Sequence, residues 1–390
     1  MTRALALATA ALAVGGQPAP AQDTLTVERL QEAALRSDPR ANQRALLRSA
    51  ADLRLAVIGA DRLPQLEING QATHQSDVTR PTFGIPGVTI PDFPKERWQT
   101  TLDVEQPLYD GGEVARRREV EEARHAESQA ALDVSLYELR SDVNSAFYAA
   151  FLYQKRVAEY DALVGDLDAR LAAVRARVEA GTALGRDAAE IEAEWVRAGL
   201  QRDEARASRR ASLAILSDLV GSQVDTSDVL VLPSDQPERT HPGDFATVSA
   251  LRRRPEFDQF QRSRERLDRE IAYTSTENRP QLFAFGQAGV GLPGLDQFRQ
   301  SSDAFYQVGI GIRWRPWTWR SAGRTAAGYR LQQQIIATEE QALGRKLARA
   351  VVTDLEDITR LKAALADDER IVALRTEVER QGRAQFDEGA

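Results

Sequence analysis

The sequence predicts a mixed fold in which long coiled-coil helices carry four membrane-crossing β-strands, with the arrangement duplicated along the chain. Three observations predict it. From Leu139 onward apolar residues recur with a period of 3.5, and no proline interrupts the chain between Glu113 and Ala180. Four runs of about ten residues alternate with a period of two, the length of a tilted strand crossing a bilayer. Finally, Arg62-Leu63-Pro64-Gln65-Leu66 and Gly70-Gln71 recur as Arg279-Pro280-Gln281-Leu282 and Gly286-Gln287.

Composition agrees with long helices and excludes several chemistries. Ala and Arg are abundant and aromatics make up only 6% of the 390 residues, which favours extended helical packing over a bulky core. The absence of cysteine removes zinc-thiolate sites, thiol nucleophiles and disulfides. A formal charge of −7 argues against nucleic acid as a partner. Beyond the N-terminus no apolar run is long enough for a transmembrane helix, which leaves a β-barrel open.

The first residues read as an export signal, residues 1–21. Arg3 supplies the positive start, Ala4 to Val14 the apolar core, and Ala19-Pro20-Ala21 the small-residue cleavage pattern, so the mature chain is expected to begin at Gln22. Residues 22–220 then form a first structural repeat and residues 245–390 a second, joined by a linker at 221–244 rich in Ser, Asp and Pro. Leu35-Arg36 and Pro39 match Leu251-Arg252 and Pro255, and Val178 and Gly181 match Phe386 and Gly389.

Each repeat opens with helices. The first has one from about Val27 to Ser37 and, with Pro39 in its first turn, another to about Arg62. The strands follow. Leu66, Ile68, Gly70 and Ala72 alternate with polar neighbours, as do Trp98, Thr100, Leu102 and Val104. In the second repeat Leu282, Ala284, Gly286, Ala288 and Val290 share one face, and so do Ala304, Tyr306, Val308, Ile310, Ile312 and Trp314. Trp98, Tyr109, Phe305, Tyr306, Trp314, Trp317 and Trp319 gather at strand ends as an interfacial belt. Four strands cannot close a barrel, and an open edge in lipid leaves backbone groups unsatisfied, so several chains must combine.

The long helix follows Gly111-Gly112. Its seam runs Leu139, Val143, Ala146, Ala150, Tyr153, Val157, Tyr160, Val164, Leu167, Leu171, Val174 and Val178. Alternating steps of three and four specify left-handed supercoiling, and the helix reaches roughly 100 Å. It stops at Gly181, expected to be left-handed, and a second helix starts near Asp187, the expected cap, running to about Leu219 with Ile191 and Trp195 packed. The second repeat keeps the seam at Leu347, Val351, Ile358, Leu361, Leu365, Val372 and Phe386 but places Asp354, Asp368, Arg375 and Glu379 in the same frame.

Together these features resemble the TolC family of outer-membrane efflux and secretion channels. The resemblance rests on the export signal, the entry ending Leu63-Pro64-Gln65-Leu66, the strand ending Gln106-Pro107-Leu108-Tyr109-Asp110-Gly111-Gly112, the uninterrupted helix, and Glu179-Ala180-Gly181-Thr182 followed by Arg186-Asp187. In the second repeat Pro316-Trp317-Thr318-Trp319 departs from the Asp-Gly-Gly pattern, and by comparison with residues 182–220 its last helix is absent.

The resemblance implies a homotrimer closing a twelve-stranded barrel in the outer membrane of a Gram-negative bacterium, with helices forming a tunnel across the periplasm. It implies passive conduction to the exterior together with an inner-membrane transporter and a periplasmic adaptor. It gives Asp187, with Arg186, a place in gating at the periplasmic tip. Gly181, Thr182 and Gly389 become adaptor contacts.

Asp103 and Glu105 fall on the polar face of their strand, expected toward the lumen, where carboxylates favour cations or stand solvated. The loop from Asp77 to Arg97, with Pro81, Pro86, Pro91 and Pro94, is expected outside the cell. Catalysis is not expected: His74, His125 and His241 lie far apart, His125 in a charged and solvent-facing helix, and no phosphate-binding loop, metal site or cofactor motif occurs. The rival reading is a periplasmic adaptor or coiled-coil scaffold without a pore.

Overall fold

The computed structural model describes residues 24–78, 94–233, 252–296 and 301–387. The export segment, most of the proline-rich loop, the second half of the linker and Gly389 lie outside the described residues. In chain order the elements are β1 Thr24–Leu25, α1 Val27–Ser37, a 3-10 turn Pro39–Asn42, α2 Gln43–Ala60, β2 Gln65–His74, β3 Glu96–Tyr109, α3 Glu113–Glu179, α4 Gly185–Val220, β4 Val229–Leu230, α5 Pro255–Thr274, β5 Gln281–Leu292, β6 Asp303–Arg313 and α6 Ser321–Asp387. Pro39 sits in the short 3-10 turn and not in the first turn of α2. The chain forms two compact units, residues 1–41 with 135–237 and residues 42–134 with 238–390.

In the first unit α1 is amphipathic, with Val27, Leu30 and Ala34 buried on one face. Thr26 caps it, its hydroxyl accepting the Arg29 N–H at 3.5 Å. That face meets Leu139, Val143, Phe147 and Ala150 of α3 and Leu213, Leu216 and Val220 of α4. Phe147 and Leu216 are fully buried, so apolar area removed from water holds these helices together. The start of the linker is packed structure: Val224 and Leu230 join the same core, and β4 pairs in parallel with β1.

Beyond that core α3 and α4 run antiparallel. Arg175 pairs with Glu192 at 3.0 Å and Arg206 with Asp161 at 2.8 Å, two pairs in a single register. Along α3 the least exposed positions are the predicted seam, Tyr153, Val157, Tyr160, Val164, Leu167, Leu171, Val174 and Val178. Helix α4 answers with Ile191, Trp195, Ala198, Arg202, Ala205, Arg209, Ser212 and Leu216, the same alternation of three and four. Two arginines within this row hid the heptad from the sequence. Arg209 stays there because its guanidinium donates to Gln154 and to the Thr226 and Asp228 carbonyls.

In the second unit the strands form one antiparallel sheet in the order β2-β3-β5-β6. All four strands join their helices at the same end of the sheet. Glu96 and Arg97, read as loop, instead pair with His74 and Thr73. The helices line up in matching order through ion pairs and one hydrogen bond: Arg54–Glu121 and Arg117–Asp61 tie α2 to α3, each at 2.5 Å. Arg124–Glu270 and Arg266–Glu127 tie α3 to α5. Arg264–Glu340 and Gln333–Asp268 tie α5 to α6. His125, expected to face solvent, is half-buried here, and its Nδ1 finds no hydrogen-bond partner among the described residues.

Among the described residues, helix α6 meets a partner helix only over its first half. Leu361, Leu365, Val372 and Val378 are 55%, 61%, 63% and 69% exposed. The polar residues Asp354, Asp368, Arg375 and Glu379 are exposed as well. No seam is therefore expressed along this stretch.

Candidate functional site

The α3–α4 turn is built by its backbone. Gly181 takes φ +71°, a left-handed conformation that costs residues with a Cβ about 1–2 kcal/mol. Its N–H donates to the Val178 carbonyl at 3.0 Å, and the Thr182 N–H donates to Arg177 O at 2.8 Å. This is the Schellman pattern, which satisfies the last carbonyls of α3. The Thr182 hydroxyl donates to the same Arg177 oxygen at 3.1 Å.

Helix α4 begins at Gly185, two residues before the predicted start, because Leu184 and not Asp187 is its cap residue. Asp187 sits one turn in, and its carboxylate reaches back to accept the Leu184 N–H at 3.1 Å. That is the returning half of a capping box, at the end of the helix where negative charge is favoured. Arg186 approaches Asp187 at 3.5 Å but stays 82% exposed, so this pair is a surface contact. The structure thus brings Arg186, Asp187, Gly181 and Thr182 together in one turn. Leu184, 57% exposed at its apex, carried no sequence signal beyond its place between two helices.

In the second unit the Asp110-Gly111-Gly112 element turns β3 into α3. The Asp110 carboxylate accepts the Gly112 N–H at 2.9 Å and the Val114 N–H at 3.0 Å. Burial pushes the Asp110 carboxyl up, the N–H donors pull it down further, and it rests below the usual carboxylate range. Gly111, at φ +67°, is pressed against the neighbouring corner: a methyl group there would lie 2.9 Å from Arg279 Cβ. Its carbonyl accepts from Arg279 Nη1 at 3.1 Å.

The two faces of the sheet differ in chemistry. One carries Leu66, Ile68, Leu102, Val104, Ala288, Val290, Tyr306, Val308, Ile310 and Ile312, with Ile68 and Tyr306 both 77% exposed. The opposite face carries Glu67, Asn69, Asp103, Glu105, Gln287 and Arg313. Phe283, Phe285 and Phe305 are also on it, each lying over a glycine of the paired strand; Phe285 Cζ would be 2.7 Å from a methyl at Gly309. Phe305 therefore leaves the predicted apolar belt. The remaining belt residues fall into two groups, Trp98 and Tyr306 toward the loop end and Tyr109, Trp314, Trp317 and Trp319 at the helix end.

Asp103 is more than a solvated carboxylate. It accepts from Asn69 at 2.9 Å, from Thr101 at 2.8 Å and from Gln287 at 2.6 Å. Glu105 pairs with Arg313 at 3.5 Å. Both line an open cavity of about 870 Å³ with Glu67, Phe283 and Phe285. Cross-strand register brings Gln287 and Arg313 to these carboxylates, and alternation alone did not identify either partner.

Among the described residues no helix is long and apolar enough to cross a membrane, and no group of three or more His, Asp or Glu could hold a metal ion. The fold is shared with solved structures. CusC matches with TM-score 0.68 at 14% identity, covering 93% of this chain and 82% of that chain. VceC of Vibrio cholerae, an outer membrane protein, matches with TM-score 0.64 at 15% identity, covering 93% and 86%. The Neisseria gonorrhoeae MtrE outer membrane channel in its open state matches with TM-score 0.58 at 17% identity, covering 93% and 80%. No curated protein matches the sequence. Residues 30–222, from α1 through the end of α4, match the family model described as outer membrane efflux protein. On that match the chain belongs, over residues 30–222, to the outer membrane efflux protein family.

Proposed function

We propose that the chain is the outer-membrane channel of a tripartite efflux or type I secretion system, conducting solute passively from the periplasm to the exterior. The observation that carries this reading is the four-stranded sheet, with one exposed apolar face, one polar face and two edges, at β2 and β6, that have no strand partner among the described residues. An apolar face of this kind suits lipid, and unpaired edges in lipid require neighbouring strands. Three copies would close twelve strands, the polar face lining a lumen with Asp103 and Glu105. The helix–strand pair–helix order occurring twice supports internal duplication into residues 22–220 and 245–390, with residues 1–21 as the export signal.

The α3–α4 turn then serves as the periplasmic tip, Asp187 and Arg186 taking part in closure and Gly181 and Thr182 meeting a periplasmic adaptor. Gly389 would do the same in the second copy. An inner-membrane transporter supplies energy, and the chain itself performs no catalysis. The adaptor or scaffold alternative has no comparable support, since the matched family and folds are those of channels. Detergent-purified protein added to planar bilayers should give discrete conductance steps and a particle mass of three chains. A monomer that leaves bilayers silent overturns the proposal.

A further inference from the structure

The corner between β6 and α6 is built unlike its counterpart between β3 and α3. At the β3–α3 corner the left-handed positions are Gly111 and Gly112, at φ +67° and +84°. At the β6–α6 corner they are Trp319 and Arg320, at φ +51° and +60°. A left-handed backbone is costly for any residue with a Cβ, and such strain persists only where the surroundings hold it. Here they do. Trp314 Nε1 donates to the Asn278 carbonyl at 3.1 Å, Thr318 to Asn278 Oδ1 at 3.0 Å, and Ser321 to Glu277 at 3.2 Å.

What this fastened corner displays is three tryptophans and three arginines. Trp314, Trp317 and Trp319 are 57%, 71% and 78% exposed, and the last two stack edge to face at 6.1 Å. Arg315, Arg320 and Arg324 are exposed and form no ion pair among the described residues, whereas the preceding Arg313 is held by Glu105. No acidic residue occurs from Arg313 to Arg324. Ile310 and Ile312 share the apolar sheet face, and Trp314 follows them by the same alternation just past the end of β6, where the helices leave.

We propose that this corner binds the anionic headgroups of a phospholipid leaflet, the indole rings seated at the headgroup level and Arg315, Arg320 and Arg324 facing lipid phosphate. The proposal rests on the reading of the sheet as membrane-spanning. Tryptophan suits that depth because its ring is apolar and its N–H polar, and arginine matches phosphate with a planar fork of donors. Charge complementarity selects an anionic leaflet over a zwitterionic one.

The test uses the purified full chain, offered phosphatidylglycerol or phosphatidylcholine in detergent and weighed by native mass spectrometry, alongside insertion into phosphatidylcholine vesicles. Phosphatidylglycerol should be retained preferentially. Changing Arg315, Arg320 and Arg324 together to Gln should reduce that preference by roughly fivefold per arginine, with vesicle insertion unchanged. Changing Arg360, Arg375 and Arg383 on α6 to Gln should leave the preference intact. Equal retention of both lipids by the wild type, an equal loss in the α6 control, or displacement of phosphatidylglycerol by inorganic phosphate would each overturn the proposal. Wild-type protein that fails to enter vesicles overturns the membrane-spanning reading itself. Entry without lipid preference overturns only the corner.

Discussion

The Asp187 carboxylate accepts the Leu184 N–H one turn behind it at 3.1 Å, so the residue singled out for gating also starts helix α4. The two roles separate by substitution. Asp187→Asn keeps an acceptor oxygen and removes the charge, so its melting temperature should stay near wild type while closed-state conductance rises. Asp187→Ala should raise conductance and also cost about 0.5–1 kcal/mol of stability. Conductance of Asp187→Asn indistinguishable from wild type would remove the gating role and leave only the contact to the Leu184 N–H.

Asp110 holds the start of α3 through two backbone N–H groups. Asp110→Ala should destabilise by about 1–2 kcal/mol, measured by denaturant unfolding at neutral pH. The contribution depends on pH with a definite sign. The folded carboxyl lies below its ordinary value of 3.8. Its stabilisation is therefore fully present above that value and lost as pH falls through the folded one. The gap between wild type and Asp110→Ala should be constant near neutrality and narrow only below 3.8.

Gly111 and Gly181 share a left-handed backbone and differ in what surrounds them. Nothing lies within 4 Å of a Cβ at Gly181, so Gly181→Ala should cost only the backbone term, about 1–2 kcal/mol. At Gly111 the Arg279 Cβ stands in the way, and Gly111→Ala should cost distinctly more. Equal losses in parallel unfolding titrations would show that the corner yields.

Arg54 and Arg48, both on α2, each pair with a carboxylate, but the burial of the partner differs. Glu121 is only 5% exposed at its side chain, whereas Asp52 is 53% exposed. Arg48→Ala should change stability by less than about 1 kcal/mol. Arg54→Ala leaves a buried carboxylate with Arg124 at 3.6 Å and should cost about 1–3 kcal/mol. Thermal unfolding of the two variants gives the comparison directly.

Where one physical rule acted alone, the sequence was sufficient. The α3 seam from Tyr153 to Val178 was legible because each apolar residue there meets a partner helix. The four strands were legible because each has one polar and one apolar face. The early start of α4 was not, since Leu184 caps through its backbone geometry and lacks a capping side chain. Nor was the α4 heptad, where Arg202 and Arg209 occupy seam positions through polar contacts formed only after folding. Phe305 was misassigned because an aromatic near a strand end looks interfacial until register sets it over Gly289. The partners of Asp103 depend on which strands become neighbours, and the periodicity of one strand carries no record of that.

The paired charges that lock α3 to α4, Arg175 with Glu192 and Arg206 with Asp161, restrict how the hairpin can change length. A residue inserted into one arm alone, between the turn and the first pair, turns everything beyond it by about 100° and misaligns both pairs. Seven residues added to each arm restore the alignment and lengthen the rod by about 10 Å. Relatives that span wider or narrower gaps should therefore differ from this chain by whole heptads gained or lost in both arms at once.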